Sequence, residues 1–292
     1  MLKENTLFGI DDKVCTAIAR IRYFEPMAIN INPAGYYVCI SGGKDSSVIQ
    51  ELCLMAGVEC EFVHNHTSVD HPKTVYFIRR EKERIEGLKG NYTFRIEYPR
   101  DNNGKQKTMW NLIPKNGLPT MMFRWCCKEL KEWGGMGRYC ITGVRWQESV
   151  NRSKNRGLHE ISGKTKQDCI TLNNDNDMQR RLTESCIPKR KFILNPIIDW
   201  TEADIWEFIK SYKIPYNPLY DAGYKRVGCI GCSMSGKYRK KELNENPKYK
   251  DAYFRAAEKW VKHRIDRGLP HEGLMESADR YFDWWFNDIG GV

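Results

Sequence analysis

The spacing of hydrophobic positions changes period several times along the chain. Residues 13 to 29 place Val14, Ile18 and Ile21 at helical spacing, and the pattern fades near Pro26. Residues 36 to 40 form a short apolar run suited to a buried strand, and 45 to 55 return to a helical period. Residues 59 to 67 read as a second strand, 72 to 88 as a charged helix with proline near its start, and 92 to 98 as an alternating third strand. A helix containing Cys126 to Trp133 precedes a fourth strand over 139 to 144. The stretch 150 to 190 is polar and reads as a long loop with little regular structure, and 195 to 198 is short and apolar. Thr201-Glu-Ala-Asp204 has the spacing of a capping box before a helix whose Ile205, Phe208, Ile209 and Tyr212 share a face. Past Gly236 two helices are expected, over 247 to 267 and 274 to 288. Strands alternating with helices predict an α/β fold, an open parallel sheet with helices on both faces. The organisation expected is a nucleotide-binding and cysteine-bearing domain over 1–235, then a C-terminal helical segment over 236–292.

A chain of 292 residues with 41% hydrophobic content is long enough for a sizeable core. Its apolar runs are too short to cross a bilayer, and the first residues lack the apolar core of a signal peptide, so the expected location is cytoplasmic, away from membranes. In that reducing compartment the 11 cysteines point to metal or sulfur chemistry rather than disulfides. The net charge of +10 is uneven. Residues 145 to 166 carry Arg145, Arg152, Lys154, Arg156, Lys164 and Lys166 against Glu148 and Glu160, and 225 to 241 hold Lys225, Arg226, Lys237, Arg239, Lys240 and Lys241 without an acid. Such runs suit nucleotide phosphates or a tRNA or DNA backbone, and equally a solvated surface.

The densest chemistry follows the first strand. Ser41-Gly42-Gly43-Lys44-Asp45-Ser46 joins a strand to a helix, where glycines let backbone N–H groups and the helix N-terminus converge on a phosphate. Ser41 and Ser46 add hydroxyls. Asp45 would repel a pyrophosphate unless a divalent cation stood between them, which predicts ATP with Mg2+. This hexapeptide resembles the loop of the PP-loop ATP pyrophosphatases, and within them the phosphoadenosine phosphosulfate (PAPS) reductase family. Because ligands of open parallel sheets bind at the carboxyl ends of the strands, the turn after the second strand (Thr67, Asp70) and Gly143-Val144-Arg145 after the fourth are expected beside the loop. Thr142-Gly-Val-Arg145 also resembles the family's Thr-Gly-x-Arg element, which implies that Arg145 meets the anionic part of the nucleotide. The stretches Asn195-Pro-Ile-Ile-Asp-Trp200 and Ile214-Pro-Tyr-Asn-Pro-Leu-Tyr-Asp221 extend the likeness across residues 15 to 235.

Cys126-Cys127 and Cys229-Ile-Gly-Cys232 are two close thiol pairs far apart in the chain. A Cys-x-x-Cys half-site suits zinc or an iron-sulfur cluster, while vicinal thiolates splay awkwardly around one zinc and more easily meet separate irons. The arrangement resembles the cluster-bearing adenylylsulfate (APS) reductases. That likeness implies a 4Fe-4S cluster on Cys126, Cys127, Cys229 and Cys232, with Lys131 near it. Cys15, Cys39, Cys53, Cys60, Cys140, Cys169 and Cys186 read as small core hydrophobes. His64 and His66, near Asp70 and His71, read as strand-end histidines near solvent.

Two features set the chain apart from a sulfonucleotide reductase. No cysteine follows Cys232, where those enzymes carry a nucleophilic thiol, and Lys44-Asp45 suits whole ATP. The expected activity is therefore an ATP-dependent iron-sulfur sulfurtransferase. Lys44, Asp45, Lys131 and Arg145 are its candidate catalytic residues, a sulfur donor protein and tRNA or DNA its candidate partners. An APS or PAPS reductase, and a non-catalytic nucleotide- or nucleic-acid-binding module, are the alternatives.

Overall fold

The computed structural model describes residues 1–6, 9–90, 92–162, 170–172, 191–236, 238–270 and 273–287. In chain order these form β1 Lys3–Thr6, β2 Gly9–Asp12, α1 Lys13–Ile31, β3 Tyr36–Cys39, α2 Lys44–Ala56, β4 Cys60–Asn65, α3 Pro72–Glu86 and β5 Thr93–Glu97. Then follow α4 Met109–Asn116, α5 Trp125–Cys127, β6 Tyr139–Ile141, α6 Val150–Asn155, β7 His159–Ser162, β8 Ile170–Leu172 and β9 Lys191–Leu194. The helices α7 Glu202–Ser211, α8 Tyr238–Glu245, α9 Pro247–Asp266 and α10 Ala278–Asn287 complete the order. None of the helices among the described residues is long and apolar enough to cross a membrane.

The chain divides into two compact units. The first takes residues 1–64, 76–96 and 135–227, and the second collects 65–75, 97–134 and 228–292. The second unit thus draws on three separate stretches, whereas the boundary read from the sequence lies at 235.

The first unit is the α/β part. Its seven-stranded sheet runs β5-β4-β3-β6-β9-β7-β8. Strand β3 lies parallel to β4 and β6, and β6 parallel to β9. Side chains alternate across the sheet. Tyr36, Val38, Phe62, Tyr139, Ile141 and Leu194 join one large core with Ile21 and Phe24 of α1, Ile49 and Leu52 of α2, Ile78 and Ile85 of α3 and Phe208 of α7, while Tyr37, Val63 and Cys140 form a separate cluster. Helix α1 runs through Pro26 instead of fading there.

The stretch expected to be a long loop is the clearest difference. Among its described residues it contributes α6 and two strands, β7 pairing antiparallel with both β9 and β8. The polar composition hides β7 because its anchoring is tertiary: Leu158 and Ile161 enter the core, and the buried His159 ring stacks on Phe24 at 5.0 Å. The cysteine-bearing helix is also irregular, since α5 passes into a π-helical turn over Lys128–Glu132, a geometry that often marks functional segments.

The second unit is helical and aromatic. Tyr253 of α9 lies between Trp110 of α4, at 5.1 Å, and Trp285 of α10, at 4.9 Å, and Trp260 stacks on Tyr281 at 4.5 Å. Helices α9 and α10 correspond to the two expected past Gly236, and α8 precedes them as a third.

The capping box at Thr201 forms as expected. Thr201 Oγ1 accepts from Asp204 N at 3.2 Å, and Asp204 Oδ2 accepts from Thr201 N at 2.8 Å and from Lys13 Nζ at 2.9 Å. Burial alone would push the Asp204 carboxyl up, but the Thr201 N–H and the Lys13 ammonium outweigh it and hold the group well below the ordinary carboxylate range. A depressed native pKa stabilises the fold above the unfolded value and is lost as pH falls through the native one. Asp204→Ala should therefore lower the unfolding free energy by about 3 kcal/mol at neutral pH. In urea titrations the gap between variant and wild type should narrow below about pH 4.

Candidate functional site

In the first unit the glycine loop leads from β3 into α2. Gly42 takes φ +77°, a left-handed conformation that glycine adopts at little cost, and Gly43 caps the helix. The hydroxyls are engaged inside the turn: Ser46 Oγ donates to Gly43 O at 2.8 Å, Ser41 Oγ lies 3.2 Å from Ser46 Oγ, and Gly43 N donates to Ser41 Oγ at 3.3 Å. The turn thereby holds its shape by its own side chains.

Arg145 comes to the loop from the segment after β6. Only 2% exposed, it donates from Nε to Asp45 Oδ1 at 2.6 Å and from a guanidinium nitrogen to Trp200 O at 3.4 Å. Lys44 Nζ stands 3.6 Å from Asp45 Oδ2 and 3.7 Å from Glu202 Oε1. Asp45 is thus already balanced by two cations of the protein. Gly143 is required by close approach, since a Cβ there would lie 2.9 Å from Ile49 Cδ1 and 3.1 Å from Asp45 Cβ.

The sequence reading missed a second clamp on this loop. Asn217 Nδ2 donates to Gly42 O at 3.1 Å, and the Tyr220 hydroxyl accepts from Lys44 N at 3.0 Å. Both residues stand in the Asn-Pro-Leu-Tyr stretch already noted for its family likeness, which was the available signal. Thr67, expected beside the nucleotide, belongs to the second unit, where its hydroxyl lies 3.4 Å from Cys229 Sγ.

All four paired cysteines fall in that second unit. Ile230 N donates to Val69 O at 2.8 Å and Tyr253 OH to Ile230 O at 2.9 Å, so the Cys229–Cys232 loop is fixed on both sides. Gly231 takes φ +73°, and a Cβ there would come within 3.0 Å of the Tyr253 ring. Cys126 and Cys127 share a hydrogen bond. That bond first, then Arg124 and Lys131, bring the Cys127 thiol down against the opposing effect of burial, while the same bond and burial push Cys126 up. Arg124 reaches Cys127 Sγ at 3.2 Å. The charge of Cys229, and secondarily of Asp70, raises the Lys131 ammonium, which hydrogen-bonds the Cys229 sulfur. Cys229 itself is pushed up by burial. Four soft donors with two cations beside them suit an anionic metal-sulfur group.

Several other expectations change. His64 is buried, its Nδ1 2.9 Å from Ile40 O, rather than near solvent. His66 is half-buried, 3.3 Å from Asp70. Cys53, Cys60 and Cys140 are core thiols as read and Cys39 is half-buried, but Cys15 is exposed; Cys169 and Cys186 lie outside the described residues. Several of the described residues in the basic runs have partners within the protein. Arg152 meets Glu148, Arg156 meets Glu160 at 2.8 Å, and Arg239 is buried with its guanidinium 4.9 Å from the Trp285 ring. Lys240 lies 5.5 Å over Phe286 and Lys241 is 3.7 Å from Glu245; Lys164, Lys166 and Lys237 lie outside the described residues.

Gly143→Ala should push on Asp45 and weaken adenine-nucleotide binding about tenfold, a loss of about 1.4 kcal/mol. Calorimetric titration with AMP and ATP measures this, and a melting curve should show the fold retained.

Comparison with known proteins agrees with this architecture. Residues 35–235 match the phosphoadenosine phosphosulfate reductase domain. An uncharacterised protein of Methanocaldococcus jannaschii is 27% identical over 89% of this chain and 57% of its own length, and a second from the same organism is 25% identical over 81% and 44%. The chain therefore spans about half the length of these curated relatives. A Burkholderia cepacia protein named adenosine 5'-phosphosulfate reductase is 25% identical over 65% of this chain and 66% of its own. Among solved structures, a PAPS reductase from Candida auris in a phosphate complex aligns with a TM-score of 0.44 and 16% identity, covering 73% of this chain and 88% of that one. With the family domain matched over most of its length, the chain belongs to the phosphoadenosine phosphosulfate reductase domain family.

Proposed function

We propose that this chain is an adenine-nucleotide-dependent sulfur enzyme that activates an acceptor with ATP and carries a 4Fe-4S cluster on Cys126, Cys127, Cys229 and Cys232. The observation that carries the reading is the gathering of both cysteine pairs in one unit, with Lys131 turned to Cys229 and Arg124 to Cys127. The donor set fits: four thiols, a Gly231 backbone with no room for a side chain, and cations to offset anionic sulfides. When bound, such a cluster supplies a soft, anionic surface that can hold sulfur or exchange electrons.

The remaining chemistry belongs to the loop. Its N–H groups and the N-terminus of α2 bind the phosphates, and Lys44 neutralises charge that develops on the leaving pyrophosphate. An acceptor oxygen attacks the α-phosphorus, the bond to the bridging oxygen breaks, and pyrophosphate leaves. A sulfur nucleophile then displaces AMP from the adenylylated acceptor. Arg145 holds Asp45 in place, and Mg2+ would accompany ATP as a phosphate ligand. A tRNA or DNA as acceptor and a sulfur donor protein are further parts of the proposal.

A second reading, sulfonucleotide reduction, is favoured by the relatives named adenosine 5'-phosphosulfate reductases and by Asp45 itself. Its pairing with Arg145 and Lys44 removes the electrostatic need for a divalent cation there. Anaerobically purified protein should contain about four iron and four sulfide per chain. Serine at any of the four cysteines should lower that content, while Cys53→Ser should leave it intact. Zinc without sulfide would overturn the cluster. Incubation with ATP and Mg2+ should release pyrophosphate. Sulfite from APS or PAPS with a reductant would establish the second reading, and ATP binding without turnover would make the chain a nucleotide-binding module.

A further inference from the structure

The N-terminal N–H groups of a helix have no partner within the helix, and in a phosphate-binding turn they are the donors offered to the anion. Here the first of them, Lys44 N–H at the start of α2, is taken by the Tyr220 hydroxyl at 3.0 Å. That oxygen sits in the mouth of the turn, 3.4 Å from where a Gly43 Cβ would stand. The phenol is half-buried and held from two sides. Trp206 packs edge-on against its ring at 5.3 Å and 87°, and Lys44 Nζ lies 5.6 Å from the ring centroid. Asn217, fully buried three residues earlier, hydrogen-bonds Gly42 O and fixes the same segment to the loop.

A phenol hydroxyl accepts and donates at once. Its acceptor side is used by Lys44 N–H, which leaves the proton. Among the described residues that proton has no protein acceptor assigned. Burial pushes the Tyr220 hydroxyl up to about 12, so it keeps its proton at neutral pH. Accepting from a donor at the positive end of α2 polarises the O–H and makes it a stronger donor in turn.

We propose that Tyr220 is an anion-positioning residue of the loop, whose hydroxyl relays the Lys44 N–H of α2 to a phosphate or sulfate oxygen of the bound adenine nucleotide. The inference rests on the nucleotide-binding reading above and adds to it a donor from a segment far along the chain. Tyr220 extends the cradle by one side chain, so the anion binds at the phenol rather than on this backbone N–H.

The test compares Tyr220→Phe with wild type by titration calorimetry, using adenosine, AMP and ATP as probes. The variant keeps the ring against Trp206 and loses only the hydroxyl. AMP and ATP should bind about tenfold more weakly, adenosine should bind as to wild type, and the melting temperature should change little. Tyr216→Phe is the control, because that ring also packs on Trp206, at 5.5 Å, while its hydroxyl donates to Asp221 at 2.9 Å; its affinities should match wild type. Equal AMP affinity in wild type and Tyr220→Phe would overturn the relay. Tighter binding by the variant would also overturn it and make Tyr220 an obstacle that the nucleotide displaces. An equal loss for adenosine would reduce Tyr220 to a structural contact. If wild type bound none of the three probes, the nucleotide reading would fall together with the relay, which distinguishes that failure from the others.

Discussion

A guanidinium as deeply buried as that of Arg145 cannot stay unpaired, and the geometry of the glycine loop follows from how it is satisfied. Its partner, Asp45, lies 100 residues earlier, on the first turn of α2. The 2.6 Å contact ties the start of that helix to the segment leaving β6, and the further bond to Trp200 O brings in the turn before α7. Gly143 has no side chain because the Asp45 backbone passes where one would stand. Three distant stretches therefore meet at one carboxylate, and the loop presents its donors only because those stretches hold it.

The second unit holds both cysteine pairs. Its rigidity comes from aromatic packing beneath the Cys229–Cys232 loop. Tyr253, wedged between Trp110 and Trp285, touches Gly231 and bonds Ile230 O, so the loop rests on the core of the helical unit. Thiols fixed close together repel as they ionise. Arg124 and Lys131 offset that repulsion from opposite pairs, one at Cys127 and the other at Cys229.

Much of the fold is legible from the sequence because its elements announce themselves locally. The apolar run of β3, the helical period of α2 and the capping box of α7 each need only neighbouring residues. The strand β7 does not, since His-Glu-Ile-Ser carries no strong local preference and becomes a strand through pairing with β9 and through the stacking of His159 on Phe24. The same holds within the basic run 225 to 241, where the sequence does not show that Arg239 is buried beside Trp285.

The sequence by itself determined the local chemistry: a serine-glycine turn at a helix N-terminus, a vicinal cysteine pair and a Cys-x-x-Cys loop, each written in contiguous residues whose conformational freedom and donor atoms are intrinsic. Only the tertiary structure decided which of those groups are already engaged. Asp45 is paired with Arg145, Lys44 N–H donates to Tyr220, and the Thr67 hydroxyl stands beside Cys229, none of which the contiguous residues show. The physical reason is range: hydrogen bonds and ion pairs act over a few ångströms of space, and the partners that use them here stand roughly a hundred residues or more apart in the chain.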